Sequence, residues 1–351
     1  MSAVPSASLS EKSLTGWIKN HPLTSFIILA FVLAIFWLPG NTVDLGFING
    51  FAILGSLGPA LAGVLVSGIT NPNPSGIPAG RRWRLCGLLT IIILAVFAGV
   101  RLWMAAGLVS IGGLAQDPRV YPNLLAVVMD VIAAAAAGFV LSNVFSPRQG
   151  VRDLLASLDI RQKPVKWYGW LFALAVYPAV LLVGNLISAG LSGQPFALNM
   201  SGPWYAVILT TIVLLAYFII GGGGMEEPGW RGFALPRLLA RYKPLGASLI
   251  LGLVWSLWHW PVLMLQIAAG GYAAVLIFVV QVLMYSVLFT AVYARSRGSL
   301  PLVMLLHAAV NLSEFYLPPS TIALGLWLLL TAALAVWMGL KPGMFKLEEQ
   351  Q

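Results

Sequence analysis

Apolar runs of about 17–25 residues, uninterrupted by charge clusters, recur along this 351-residue chain, and that is the length a helix needs to cross a bilayer. In lipid every backbone N–H and C=O must be paired within the protein, which only helices and closed barrels achieve. Barrel strands would alternate apolar and polar residues over about ten positions. These runs do not alternate, so barrels are excluded. Composition agrees: 59% of residues are hydrophobic and 9% charged, against about 45–50% and 25% in a soluble domain. The expected fold is all-α, a polytopic transmembrane helical bundle. Its spans are expected at approximately 23–39, 46–69, 84–109, 123–146, 167–191, 203–226, 245–267, 272–294, 299–317 and 320–340.

The formal net charge of +9 would raise nucleic-acid binding in a soluble protein. Here the basic residues sit between apolar runs, where Lys and Arg mark the cytoplasmic side. Lys12 and Lys19 precede the first run. Arg81, Arg82 and Arg84 follow the second, and Arg148, Arg152, Arg161, Lys163 and Lys166 follow the fourth. Arg231, Arg237, Arg241 and Lys243 surround the end of the sixth, Arg295 and Arg297 follow the eighth, and Lys341 and Lys346 follow the tenth. Of 20 basic residues only Arg101, inside the third run, and Arg119, in an intervening loop, break the alternation. Both termini are therefore expected in the cytoplasm, and no basic face is left for nucleic acid. The single cysteine, Cys86, excludes an internal disulfide and a cysteine-rich metal site.

The chain divides into a polar, disordered cytoplasmic tail (1–22), N-terminal membrane helices (23–199), a core set of helices (200–317), and a last helix with its cytoplasmic tail (318–351). Leu317-Pro318-Pro319 separates the last two runs. No internal repeat of the transporter kind is evident.

An ionisable group within a span costs about 2.5–3.5 kcal/mol on insertion scales, so each one is a functional candidate. Three groups stand out. In Gly221-Gly222-Gly223-Gly224-Met225-Glu226-Glu227-Pro228-Gly229-Trp230-Arg231, Glu227 and Arg231 are spaced i, i+4 and can pair, which leaves Glu226 without this local partner. The glycines admit a close neighbour, and Pro228 distorts the helix end. In Val254-Trp255-Ser256-Leu257-Trp258-His259-Trp260-Pro261, Trp255 and His259 share a face. In Leu306-His307-Ala308-Ala309-Val310-Asn311, so do His307 and Asn311. Each alone has a bland reading: an interfacial charge cluster, an aromatic belt, interhelical hydrogen bonds. Arg101 and Asp130 are expected to pair with each other. Glu314, one turn beyond Asn311, is either a partner of the polar group or a loop charge.

Taken together and in this order, the three motifs resemble the CAAX prenyl-protease and bacteriocin-processing family of intramembrane proteases (CPBP, also called Abi). That family carries Glu-Glu-x-x-x-Arg, Phe-x-x-x-His and His-x-x-x-Asn on successive helices. Glu226, Glu227 and Arg231 match the first. His259 matches the second, with Trp255 in place of Phe. His307 and Asn311 match the third. The resemblance covers roughly residues 200–315.

It implies an endopeptidase acting on a peptide or protein substrate, lipid-modified in the family's namesake, with membrane lipid around it. Glu226 would act as general base and His259 would orient the water. His307 and Asn311 would stabilise the oxyanion, and Glu227, Arg231 and Trp255 would support them. No cofactor is favoured. The alternative is zinc held by Glu226, His259 and His307, a three-ligand set that leaves a fourth position for water. A proton- or ion-coupled transporter and a non-catalytic scaffold or immunity-type protein are the rival classes. At 1.5 Å per residue His307 lies roughly 12 Å and His259 roughly 21 Å into their runs, whereas Glu226 is near the end of its own. The depths agree if the sixth helix continues past Arg231 or the seventh starts nearer residue 250; both adjustments are expected, giving an aqueous cavity expected to open to the cytoplasm.

Overall fold

The structure is a computed structural model that describes residues 13–46, 48–107, 109–111 and 123–345. In chain order its helices are α1 (Leu14–Asn20), α2 (Pro22–Leu33), α3 (Trp37–Thr42), α4 (Gly50–Thr70), α5 (Ala79–Ala105), α6 (Leu124–Ser142), α7 (Gln149–Leu155), α8 (Trp167–Ser192), α9 (Trp204–Ile220), α10 (Leu235–Leu239), α11 (Pro244–Trp258), α12 (Trp260–Ala268), α13 (Tyr272–Arg295), α14 (Leu300–Tyr316) and α15 (Thr321–Leu340). The only strand pairing among the described residues is a two-residue antiparallel pair, β1 (Ser110–Ile111) with β2 (Met200–Ser201).

Every expected span has a helix. By length and composition eight helical stretches can cross a membrane, and a ninth if α11 and α12, bent by 59°, count as one. The tenth, α14, is apolar but shorter. The polytopic helical bundle read from the sequence is therefore the observed architecture. One difference lies at the start. The stretch read as a disordered tail is helical from Leu14 to Asn20, with the Ser13 hydroxyl accepting the Gly16 N–H at 3.1 Å. Residues 1–12, Arg119 and Lys346 lie outside the described residues.

The centre of the bundle is α4, whose glycines, alanines and serines are nearly all buried. In lipid, helices associate through close packing of small residues. Gly229 shows how close: a Cβ there would overlap the backbone of Pro59. The first span is tied to the site-bearing helices by indole N–H groups. Trp258 donates to the Ala30 carbonyl at 3.0 Å and Trp260 to the Phe31 carbonyl at 3.2 Å.

Arg101 and Asp130 pair as expected, Nε to Oδ2 at 2.8 Å and Nη2 to Oδ1 at 3.1 Å, with both side chains buried. The guanidinium also donates to the carbonyls of Leu45 and Ile48. It thereby joins α5 and α6 to the segment that leads into α4.

Candidate active site

The α9 helix stops at Ile220 because glycine occupies the next four positions, and Gly221 and Gly222 leave helical geometry. A 3-10 turn, Gly223–Glu226, follows. A π-helix, Pro228–Ala234, then leads into α10. Pro228 lacks an N–H to donate, and single π turns of this kind recur at functional sites. So the sixth span does continue past Arg231, as the depth argument required. The seventh, however, begins at Pro244 and not near residue 250. What adjusts the depth of His259 is the break after Trp258, where Pro261 cannot donate to the Leu257 carbonyl.

The tight turn sends its two carboxylates to different partners. Glu226 is buried, at 3% exposure, and its Oε2 accepts two indole N–H groups, from Trp255 at 2.8 Å and from Trp230 at 3.3 Å. Both donors land on one oxygen, so Oε1 is the oxygen left for a water. Glu227 is fully buried and accepts both from Arg231 Nη1, at 3.0 and 3.1 Å, and from His307 Nδ1 at 2.7 Å. The guanidinium of Arg231 lies 4.6 Å from the Trp255 ring centroid and 4.8 Å from that of Phe289. Among the described residues its Nε and Nη2 meet no hydrogen-bond acceptor, and these aromatic rings are its other neighbours.

His259 caps α11. Its Nδ1 lies 2.9 Å from the Trp255 carbonyl oxygen. A carbonyl only accepts, so Nδ1 carries the proton and Nε2 keeps its lone pair. The rings of Trp258 and Phe278 pack on it at 4.7 and 5.0 Å. His307, at 5% exposure, sits against the Trp255 and Phe289 rings at 5.3 and 5.2 Å. Gly223 makes room for it: a Cβ there would overlap the imidazole at Nε2. Asn311 is one turn further along α14 and half-buried.

Glu226, His259, His307 and Asn311 all line one cavity of about 360 Å³. Residues far apart in sequence are thus gathered by α11, α14 and the turn after α9. Glu314 lines it too, and is more than a loop charge. Its Oε1 accepts from Tyr177 at 2.7 Å and from Tyr285 at 2.8 Å, and the two hydroxyls are 2.8 Å apart. Sequence reasoning missed Trp230, Tyr177 and Tyr285. The i, i+4 spacing of Glu226 and Trp230 was a signal for the first. The tyrosines carried none, because a tyrosine in an apolar run is ordinary.

Among the described residues no group of three or more His, Cys, Asp or Glu side chains is arranged to hold a metal ion. The cavity lining also includes Trp37, Ala52 and Phe278, and Trp230, Arg231 and Phe233 are fully buried in the π-helix that follows the turn.

Residues 202–313 match the family described as type II CAAX prenyl endopeptidase, Rce1-like. A curated relative, described as CAAX prenyl protease 2 from Methanococcus maripaludis, is 28% identical over 143 residues, covering 39% of this chain and 52% of the relative. The chain thus matches about half the length of that relative. The matched residues are the ones that contain the break after α9, the bend at His259 and the face of α14 that bears His307. That segment is thus similar to the type II CAAX prenyl endopeptidase family, the same family that its three motifs resemble.

Proposed function

We propose that the chain is an intramembrane endopeptidase that hydrolyses a peptide bond with a water activated by Glu226 and His259. The observation that carries this reading is the meeting of the Glu226 carboxylate, the His259 and His307 imidazoles and the Asn311 amide in a single cavity. A water between Glu226 and His259 would donate one hydrogen bond to Oε1 of the carboxylate and one to Nε2 of the imidazole. As the water oxygen attacks the carbonyl carbon, its proton passes to Glu226 and the carbonyl π pair moves to oxygen. Collapse of the tetrahedral species breaks the C–N bond, and Glu226 returns the proton to the leaving amine.

The oxyanion would be met by the Asn311 amide and by His307. Because His307 Nδ1 donates to Glu227, its Nε2 donates only when the ring is an imidazolium. Glu227, held by Arg231, is the group that fixes this ring. Hydrolysis on a glutamate-bound water gives every one of these residues a task. A zinc site would leave Asn311 without one.

The test is cleavage of a self-quenched peptide library by the purified protein in proteoliposomes. Removing a general base costs about 10²–10⁴-fold, so Glu226→Gln and His259→Ala should lose at least that much while thermal unfolding is unchanged. Asn311→Ala should cost about 10²–10³-fold, as for an oxyanion donor. Glu226→Gln keeping most of the wild-type rate would sink the reading and favour the scaffold class. Full activity after exhaustive chelation is expected, and loss restored by zinc would return the metal alternative.

A further inference from the structure

Among the described residues, the long apolar helices and the turn after α9 hold the carboxylates of Asp130, Glu226, Glu227 and Glu314. Two of them carry a guanidinium: Arg101 pairs with Asp130 at 2.8 Å, and Arg231 with Glu227 at 3.0 Å. Among the described residues Glu226 and Glu314 have no Lys or Arg partner, and both line the cavity of about 360 Å³. Hydrolysis gives Glu226 a use for its charge. It gives Glu314 none. An acid in an apolar helix is costly and marks a functional position unless something balances it.

The surroundings of Glu314 favour a charged carboxylate. Its Oε1 accepts from the hydroxyls of Tyr177 and Tyr285, and two O–H donors on one oxygen suit an ionised acid. Its Oε2 has no hydrogen-bond partner among the described residues and is not sealed by packing, so it is open to the cavity that the side chain lines. No Lys or Arg stands in that lining. The imidazole on the same helix, His307, is held by Glu227 and lies about 10 Å away along α14. What does surround Glu314 is aromatic. Tyr285 bonds it, Phe315 is its chain neighbour, and Phe218 packs on Phe315 with ring centroids 5.7 Å apart. All three line the cavity. An acid beside aromatic rings attracts an organic cation twice, through its charge and through the ring quadrupoles.

We propose that Glu314 is a subsite for a cationic group on the substrate, an alkylammonium or guanidinium supplied by a Lys or Arg side chain or by a free N-terminal amine. The proposal rests on the hydrolytic reading for the ligand's being a peptide, and deepens it by naming what that peptide carries. His307, Asn311 and Glu314 follow one another at i, i+4 and i+7 on one face of α14. Glu314 therefore lies about 4.5 Å beyond Asn311 along the helix and about 10 Å beyond His307. An extended peptide advances about 3.3 Å per residue, so the cation belongs within about three residues of the scissile bond.

The test reads binding first, without turnover. The protein is Glu226→Gln in nanodiscs, which leaves Glu314 as the cavity's one carboxylate. The probe is an alanine–leucine peptide with a central lysine, an acetylated N-terminus and fluorescein at its C-terminus, titrated by anisotropy. Two companion probes carry norleucine in place of lysine, one acetylated and one with a free N-terminus. The lysine probe should bind about 10- to 100-fold more tightly than acetylated norleucine, the factor that a hydrogen bond to a charged group contributes. Adding Glu314→Gln should erase that difference. If Glu314→Gln fails to fold, Glu314→Asp against Glu314→Asn makes the same comparison at matched size, and only the aspartate should keep a preference. A free-amine norleucine probe that alone binds tightly supports the subsite and assigns it to a peptide terminus. Equal binding of all three probes, binding of none, or a cation preference that survives Glu314→Gln overturns the proposal. In wild-type proteoliposomes kcat/KM for the lysine peptide should exceed that for acetylated norleucine by the same factor. Probes that bind as expected and are never cleaved would sink the hydrolytic reading and leave the cation subsite standing. Cleavage of all three peptides at one rate, with no difference in binding, would do the reverse.

Discussion

Trp255 illustrates what a single residue type adds. The family pattern has Phe there, and on sequence grounds any large aromatic would wall the pocket equally well. In the structure its indole N–H donates to Glu226 at 2.8 Å, which a Phe ring cannot do. Trp255→Phe keeps a ring against Arg231 and His307 but removes the donor. Hydrogen bonds to charged groups contribute about 1.5–3 kcal/mol, so kcat should fall by about 10- to 100-fold with little change in KM. A rise in KM at constant kcat would mean that the residue shapes substrate binding only. Glu226, His259, His307 and Asn311 were legible because polar groups are scarce in apolar runs and each one costs insertion energy. Trp255 was legible as a neighbour of the site but not as a donor, since its direction depends on a fold the motif does not describe.

Among the elements, the turn after α9 does the most to build the site. Four glycines announced a break and a close neighbour, and both are present. The glycine run and Pro228 marked the break but not its form, a 3-10 turn followed by a π-helix, since neither residue type selects those geometries. Gly223 carries the consequence. A methyl group there would collide with the His307 imidazole, which Glu227 holds in place. Gly223→Ala should therefore lose activity to nearly the extent of His307→Ala, with a smaller loss of thermal stability than Gly229→Ala, whose Cβ would meet the Pro59 backbone. Steady-state cleavage and thermal unfolding in detergent would check both orders. The bend at His259 has a plainer origin in Pro261. It placed the histidine without the late helix start that uniform 1.5 Å spacing seemed to require.

For the whole molecule, the bundle and the order of its spans follow from run length and from the alternation of basic loops, because both obey the bilayer rather than the details of packing. One buried pair tests the assembly as a unit. Arg101 and Asp130 are buried against each other and against the carbonyls of Leu45 and Ile48, linking α5 and α6 to the approach to α4. Breaking a buried pair by removing one partner strands the other charge and typically costs about 3–5 kcal/mol, whereas replacing both with apolar residues is often neutral. Arg101→Met should accordingly lower the unfolding temperature in detergent sharply, and Arg101→Met with Asp130→Leu should recover most of the loss. The double variant would still lack the guanidinium's bonds to Leu45 and Ile48, so its recovery should be incomplete, and the remaining deficit measures what those two carbonyls contribute. If the single and double variants unfold at the same temperature, the carbonyl contacts alone hold this end of the bundle and the ion pair adds nothing to it.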